Sequence, residues 1–154
     1  MKRFFAVFPQ EFTKSPAFFR GLVLGAVYLC LIVAQLFTFE RFYEVTYGYG
    51  FGGGVVTAAM FAGLIVAVEV ASLPYLFSMR LTERVWKLSR RSSIATGVMW
   101  LAIALYTNIS GNNNSDTGLF GATIPTLNGL WFIVFAAILL WAAVLVAREL
   151  PRRK

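Results

Sequence analysis

The chain has 154 residues, 58% of them hydrophobic and 14% charged, with a mean hydropathy of +0.70 and a net charge of +7. Soluble domains carry about 25% charged residues, so this composition excludes an ordinary water-soluble globule and points to a membrane protein. One cysteine, Cys30, and the absence of histidine exclude a CxxC redox pair, Ser-His and Cys-His nucleophiles, and the Cys/His ligand sets of zinc sites.

The leading stretch, residues 1–20, is rich in phenylalanine but interrupted by Pro9, Glu11, Lys14 and Pro16. No continuous apolar core forms there, so it does not read as a cleavable signal. Phe4, Phe5, Phe8, Phe12, Phe18 and Phe19 are expected to dip into the headgroup region. Four apolar runs follow, at about 21–39, 55–77, 92–109 and 128–147. A spanning helix needs about 20 residues, which runs one, two and four supply; the third is short and borrows polar residues at its ends. The predicted fold is all-α: one transmembrane domain, an integral membrane four-helix bundle in up-down-up-down order.

Every Lys and Arg except Arg41 falls before run one, between runs two and three, or after run four. By the positive-inside rule both termini are expected in the cytoplasm. These basic residues read as topology determinants that also meet anionic lipid. No base-reading motif accompanies them, and no nucleic-acid partner is expected.

Between runs one and two lies "VTYGYGFGGG", residues 45–54, whose Gly48-Tyr49-Gly50 invites comparison with a potassium-channel filter. The link from Glu40 to Gly54 is 15 residues, too short for a pore helix and filter together, and Tyr47 stands where a valine would follow Thr46. The expectation is an outer-surface loop in which Phe42, Tyr43, Tyr47, Tyr49 and Phe51 form an interfacial aromatic belt.

Run one contains Gly21-x-x-x-Gly25, and run two carries Ala59, Gly63, Ala67 and Ala71 at steps of four. Small residues at that spacing let another helix approach closely, and the ridge on run two is expected to mark the packing seam within the bundle, with an oligomer contact as the alternative. The cytoplasmic link, residues 80–91, is amphipathic. Leu81, Val85 and Leu88 share one face, while Arg80, Arg84, Lys87, Arg90 and Arg91 supply a basic one for lipid headgroups. It is expected as an extension of span two or a short surface helix with Trp86 in lipid. The second outer loop, 110–127, is rich in Asn, Asp and Gly and reads as solvated turns.

Glu69 is the candidate site residue. An acidic side chain inside a span costs on the order of 2.5–3.5 kcal/mol to insert, so it must face protein, water or a partner. It lies about 200° around the helix from Ala67, on a face with Ala62, Ile65, Val66, Ser72, Leu73 and Leu76. With the ridge buried, that face turns toward a groove or another protein. Tyr28 is placed at a similar depth as a possible hydrogen-bond partner, and Gln35 is read as interhelical glue. Proton or cation passage, a hydrogen bond to a quinone-like headgroup, and a purely structural role for a protonated Glu all fit.

The stretches "FFRGLVLGAVYL" (18–29), "AGLIVAVEVASLPYL" (62–76) and "SRRSSIATGVMWLAIAL" (89–105) resemble the DoxX-like family of small four-helix membrane proteins, including its MauE-type relatives. The resemblance implies work beside membrane redox enzymes in quinone- or thiol-linked systems, with Glu69 as the acidic position. From the residues themselves the expectation is a non-catalytic accessory or assembly subunit of a larger membrane complex in a prokaryotic inner membrane. Its partners would be other membrane subunits and anionic lipids; no metal or resident cofactor is expected, with lipid or quinone as possible ligands. The alternatives are a quinone-contacting redox module and a small homo-oligomeric transporter or channel using Glu69.

Overall fold

The computed structural model describes residues 15–50, 52–110, 116–126 and 128–150. The expectations for Phe4 to Phe12, Phe51, the asparagine-rich centre of the second loop and the basic residues after Leu150 lie outside the described residues. Five helices make up the described chain: α1 Pro16–Phe37, α2 Phe39–Gly48, α3 Gly54–Leu76, α4 Glu83–Ile109 and α5 Leu130–Glu149. There is no strand among the described residues. Four of the helices, α1, α3, α4 and α5, are long and apolar enough to cross a membrane.

Local chemistry sets the helix ends. Pro16 occupies the first turn of α1, where its missing N–H costs nothing and its fixed φ suits the helix. Phe18 is buried and Phe19 exposed, and both lie within α1, so the end of the leading stretch is continuous with the first long helix. α3 carries Pro74 near its end and stops at Leu76, followed by Ser78 in the left-handed region at φ 52°. The sequence expectation for residues 80–91 needs correction here. The chain leaves the helix after Leu76, Thr82 takes an extended backbone, and a single helix of 27 residues then runs from Glu83 through the whole third apolar run. The basic link therefore extends span three, because the left-handed turn at Ser78 separates it from span two while nothing after Glu83 interrupts the helix. Glu83 and Lys87 form an exposed i,i+4 ion pair at 2.7 Å on this extension.

The aromatic stretch after α1 also differs from expectation. Phe39–Gly48 contains no proline and no glycine before its last residue, and it folds as helix α2 packed on α3. Phe42 and the following Tyr49 are fully buried, while Tyr47 is exposed, so these aromatics divide between core and surface and do not form a single belt.

The long helices close a ring in which α1 touches α3, α3 touches α4, α4 touches α5, and α5 returns to α1. Arg20 near the start of α1 meets Glu149 at the end of α5 at 2.6 Å. Gly21 and Gly25 face the end of α3, where an added Cβ would lie 3.0 Å from the Leu76 carbonyl oxygen and 3.1 Å from the Phe77 ring respectively. Leu24, Leu31, Ile65, Trp100, Phe132 and Leu139 fill the centre.

The small-residue ridge of α3 is not the seam. Ala59 and Ala67 are exposed, Gly63 and Ala71 only half-buried, and a Cβ added to Gly63 would meet nothing within 4 Å. The buried face is the one carrying Ala62, Ile65, Val66, Glu69, Ser72 and Leu76. Branched side chains fill the bundle centre better than a row of alanines, and Glu69 finds its donors only there, so the helix rotates its small residues outward. Helices α4 and α5 approach closely at Gly97, where an added Cβ would sit 2.6 Å from Leu140 Cα. Gly97→Ala is thus expected to lower bundle stability by about 1–3 kcal/mol through overpacking. Gly63→Ala should leave it within about 0.5 kcal/mol, as surface changes away from special features do. Thermal unfolding of the two variants in the same detergent checks the contrast.

Candidate functional site

The site is built where α1, α3 and α4 converge beneath the 116–126 loop. Glu69 projects from the buried face of α3 and has no solvent exposure. The Trp100 indole N–H on α4 donates to Glu69 Oε1 at 2.7 Å. The Gln35 amide Nε2 on α1 approaches the same oxygen at 3.5 Å and also donates to the Leu119 carbonyl at 3.2 Å. One carboxylate oxygen thus gathers donors from two helices, and the Gln35 amide extends the network to the loop. Glu69 Oε2 and Gln35 Oε1, both buried, have no hydrogen-bond partner among the described residues.

Glu69 itself sits in a continuous helix, and its carbonyl accepts from Ser72 Oγ at 2.6 Å. Trp100 is held by the Phe132 ring, edge-on at 5.8–6.4 Å spacings typical of the aromatic row Phe132, Trp131 and Phe135 beside it, its own contact with Phe132 being 6.1 Å. Such packing fixes the indole plane and aims its N–H.

Tyr28 does not bond Glu69. Its hydroxyl donates to the Ser93 carbonyl of α4 at 3.1 Å, so it ties α1 to α4 below the carboxyl. Gln35, seven residues further along α1, reaches Glu69 because both side chains are long enough to span between the two helices. Trp100 was not singled out in the sequence. The available signal was a tryptophan deep in an apolar span, whose N–H needs an acceptor once buried.

The cover over the site comes from the second loop, which is not the solvated segment expected. Thr117, Gly118, Leu119 and Gly121 are buried, with Leu119 fully so. Asp116 Oδ1 accepts the Gly118 and Thr126 amides at 2.9 and 3.2 Å, the Thr117 amide donates to Thr126 O at 2.7 Å, and the Thr117 and Thr126 hydroxyls pair. Besides the Gln35 bond to Leu119 O, the closed loop docks on the bundle through further hydrogen bonds. Tyr49 OH donates to Thr117 O at 2.6 Å, Thr123 Oγ1 donates to Ala34 O at 3.1 Å, and the Ala122 amide donates to Thr38 Oγ1 at 3.0 Å. Burial, and then the negative charge of Asp116, push the Tyr49 hydroxyl above its ordinary range, so it acts as a neutral donor. Gly121 makes the seat possible. It holds φ 60°, and a Cβ there would lie 2.8 Å from Gln35 Cα.

At the opposite end, α3 and α4 are spliced by Ser89. Its hydroxyl accepts the Tyr75 amide at 3.0 Å and donates to Ser72 O at 3.3 Å. Trp86, expected in lipid, instead packs edge-on to Tyr75 at 5.8 Å and carries the Arg90 guanidinium 5.5 Å above its ring. Arg90 Nε donates to Ala147 O at 2.9 Å, while Arg80, Arg84, Lys87 and Arg91 remain exposed. Cys30 is exposed on α1 in an apolar groove of about 410 Å³ with Leu29, Val33 and Phe37. Among the described residues no three His, Cys, Asp or Glu side chains cluster as metal ligands.

No family model matches the chain, and comparison with curated proteins and with solved structures returns no match.

The donor geometry gives a direct test. Trp100→Phe keeps the ring against Phe132 but removes the 2.7 Å bond to Glu69. Leaving a buried acceptor short of its donor costs about 1–3 kcal/mol, so the variant is expected to unfold at a lower temperature, with Tyr28→Phe affected less. Melting both proteins in parallel measures the difference.

Proposed function

We propose that this chain is a non-catalytic accessory or assembly subunit of a larger membrane protein complex. The observation that carries the reading is the outward ridge of Ala59, Gly63, Ala67 and Ala71, of which, among the described residues, Ala59 and Ala67 are exposed and Gly63 and Ala71 half-buried. Lipid tails are as apolar as the helices they surround, so helix association in a membrane draws on close packing. A row of small residues is where a partner helix can come nearest. In this reading the bundle runs up-down-up-down with both termini in the cytoplasm of a prokaryotic inner membrane, as the distribution of Lys and Arg favours. Exposed Arg80, Arg84, Lys87 and Arg91 would then lie among anionic headgroups.

The second reading is the DoxX-like one, a redox-associated module with quinone at Glu69. It is favoured by the free hydrogen-bonding capacity of Glu69 Oε2 and Gln35 Oε1. That reading, and transport through Glu69, both require movement of the 116–126 loop, since the carboxyl has no exposure in the closed bundle.

Purification from native membranes in mild detergent followed by native mass spectrometry is expected to return a stoichiometric complex with other polypeptides. Gly63→Leu and Ala67→Leu should release the partner while the isolated bundle melts as before; a lone chain or bare homo-oligomer would overturn the subunit reading. A reporter fused to the C-terminus should be active only in its cytoplasmic form, and activity on the outer side would overturn the orientation.

A further inference from the structure

We propose that Glu69 is a proton-binding site of the bundle core, holding its proton on Oε2 and exchanging it only when the 116–126 loop lifts. The inference rests on the hydrogen-bond inventory. Oε1 already takes the Trp100 N–H at 2.7 Å and the Gln35 amide at 3.5 Å, both neutral donors, which marks it as the carbonyl-like oxygen. Oε2 receives nothing, although it is fully enclosed. A bare carboxylate in that position would leave most of its charge unmatched in an apolar interior, whereas a carboxylic acid needs one acceptor for its O–H. Gln35 Oε1 is such an acceptor, unused, on the amide that already contacts Glu69.

Among the described residues the groups facing Glu69 supply no countercharge. From α4 there is Trp100, from α1 there is Gln35, and from the loop the Leu119 carbonyl. Among the described residues Tyr28 is the ionisable side chain that feels its charge, and the Tyr28 hydroxyl donates to Ser93 O. Ser72, on the same helix, is turned to the Glu69 carbonyl and not to the carboxyl.

The loop controls access because one amide serves both. Gln35 Nε2 divides its bonds between Glu69 and Leu119 O, and the Leu119 side chain is buried over the site. When the loop lifts, water enters and accepts the Oε2 proton. The O–H electron pair stays on the carboxylate, and Gln35 Nε2, released from Leu119 O, donates fully to it beside Trp100. Reprotonation and closure reverse the sequence.

Infrared difference spectroscopy of the protein in phospholipid vesicles tests this. A carboxylic-acid C=O band is expected at neutral pH, absent in Glu69→Gln and downshifted after transfer to D₂O. Should Glu69→Gln not fold, Trp100→Phe assigns the band instead, by raising its frequency as the 2.7 Å bond is lost. Leu119→Ala, which removes the cover and leaves the carboxyl's partners in place, should speed the deuterium shift on the order of tenfold, since local opening limits exchange at buried groups. A carboxylate band from Glu69 at neutral pH, with or without a response to added sodium, would overturn the proposal. So would an exchange rate unchanged by Leu119→Ala.

Discussion

The bond from the Trp100 indole to the Glu69 carboxyl is the constraint on which the rest of the architecture turns. An acidic side chain inside an apolar span has to meet donors within the protein, and the nearest supply is on the helix opposite. Satisfying it rotates α3 so that Glu69 points inward, which places Ala62, Ile65, Ser72 and Leu76 against the bundle and leaves the alanine–glycine ridge outside. Gln35 adds α1 to the same oxygen, and through Leu119 O the network reaches the loop. Three helices and a cover are thereby set in register by the hydrogen-bonding needs of one carboxyl.

Polar side chains do similar work at other levels of the bundle, mostly by serving backbone groups that a helix end or a proline leaves exposed. Ser89 occupies the neighbourhood of Pro74, bonding both the Tyr75 amide and the Ser72 carbonyl. Tyr75 OH reaches Val146 O at 3.0 Å, and Arg90 reaches Ala147 O, so the last turn of α5 is capped from two other helices. Thr46 Oγ1 donates to Ala58 O at 2.9 Å and fastens α2 to α3. Interhelical hydrogen bonds of this kind are each modest in a membrane, and their value here is in fixing depth and rotation where apolar contacts alone discriminate poorly. The outer surface of the long helices is by contrast plainly apolar, with Phe37, Val56, Met60, Leu130 and Trp141 exposed, as suits contact with lipid or a partner helix.

The two ends of the bundle are built differently. One end is closed by a structured loop whose residues descend into the core as far as Leu119, and it holds Glu69, Gln35 and Tyr49 out of solvent. The other end is a basic fringe on the first turns of α4 and the last of α5, solvated apart from Arg90.

Much of this was legible in the sequence. Composition and the length of the apolar runs set the all-helical class and the number of long helices, because a span must satisfy its backbone internally and needs a fixed length of apolar residues to do so. The cost of a buried charge marked Glu69, and its face was read correctly as the one with Ala62, Ile65, Val66 and Ser72. The inward face of α3 is where the sequence reading fails: it expects the small-residue ridge at the seam, and the structure buries the Glu69 face instead. Local spacing treats the ridge and the Glu69 face alike, and only the positions of Trp100 and Gln35, 31 and 34 residues away, break the tie. The burial of Phe42, Tyr49 and Leu119 escaped sequence reasoning for the same cause. Aromatic and glycine-rich stretches outside a span look like interface or loop until a distant segment closes over them, and that closure is a property of the tertiary structure alone.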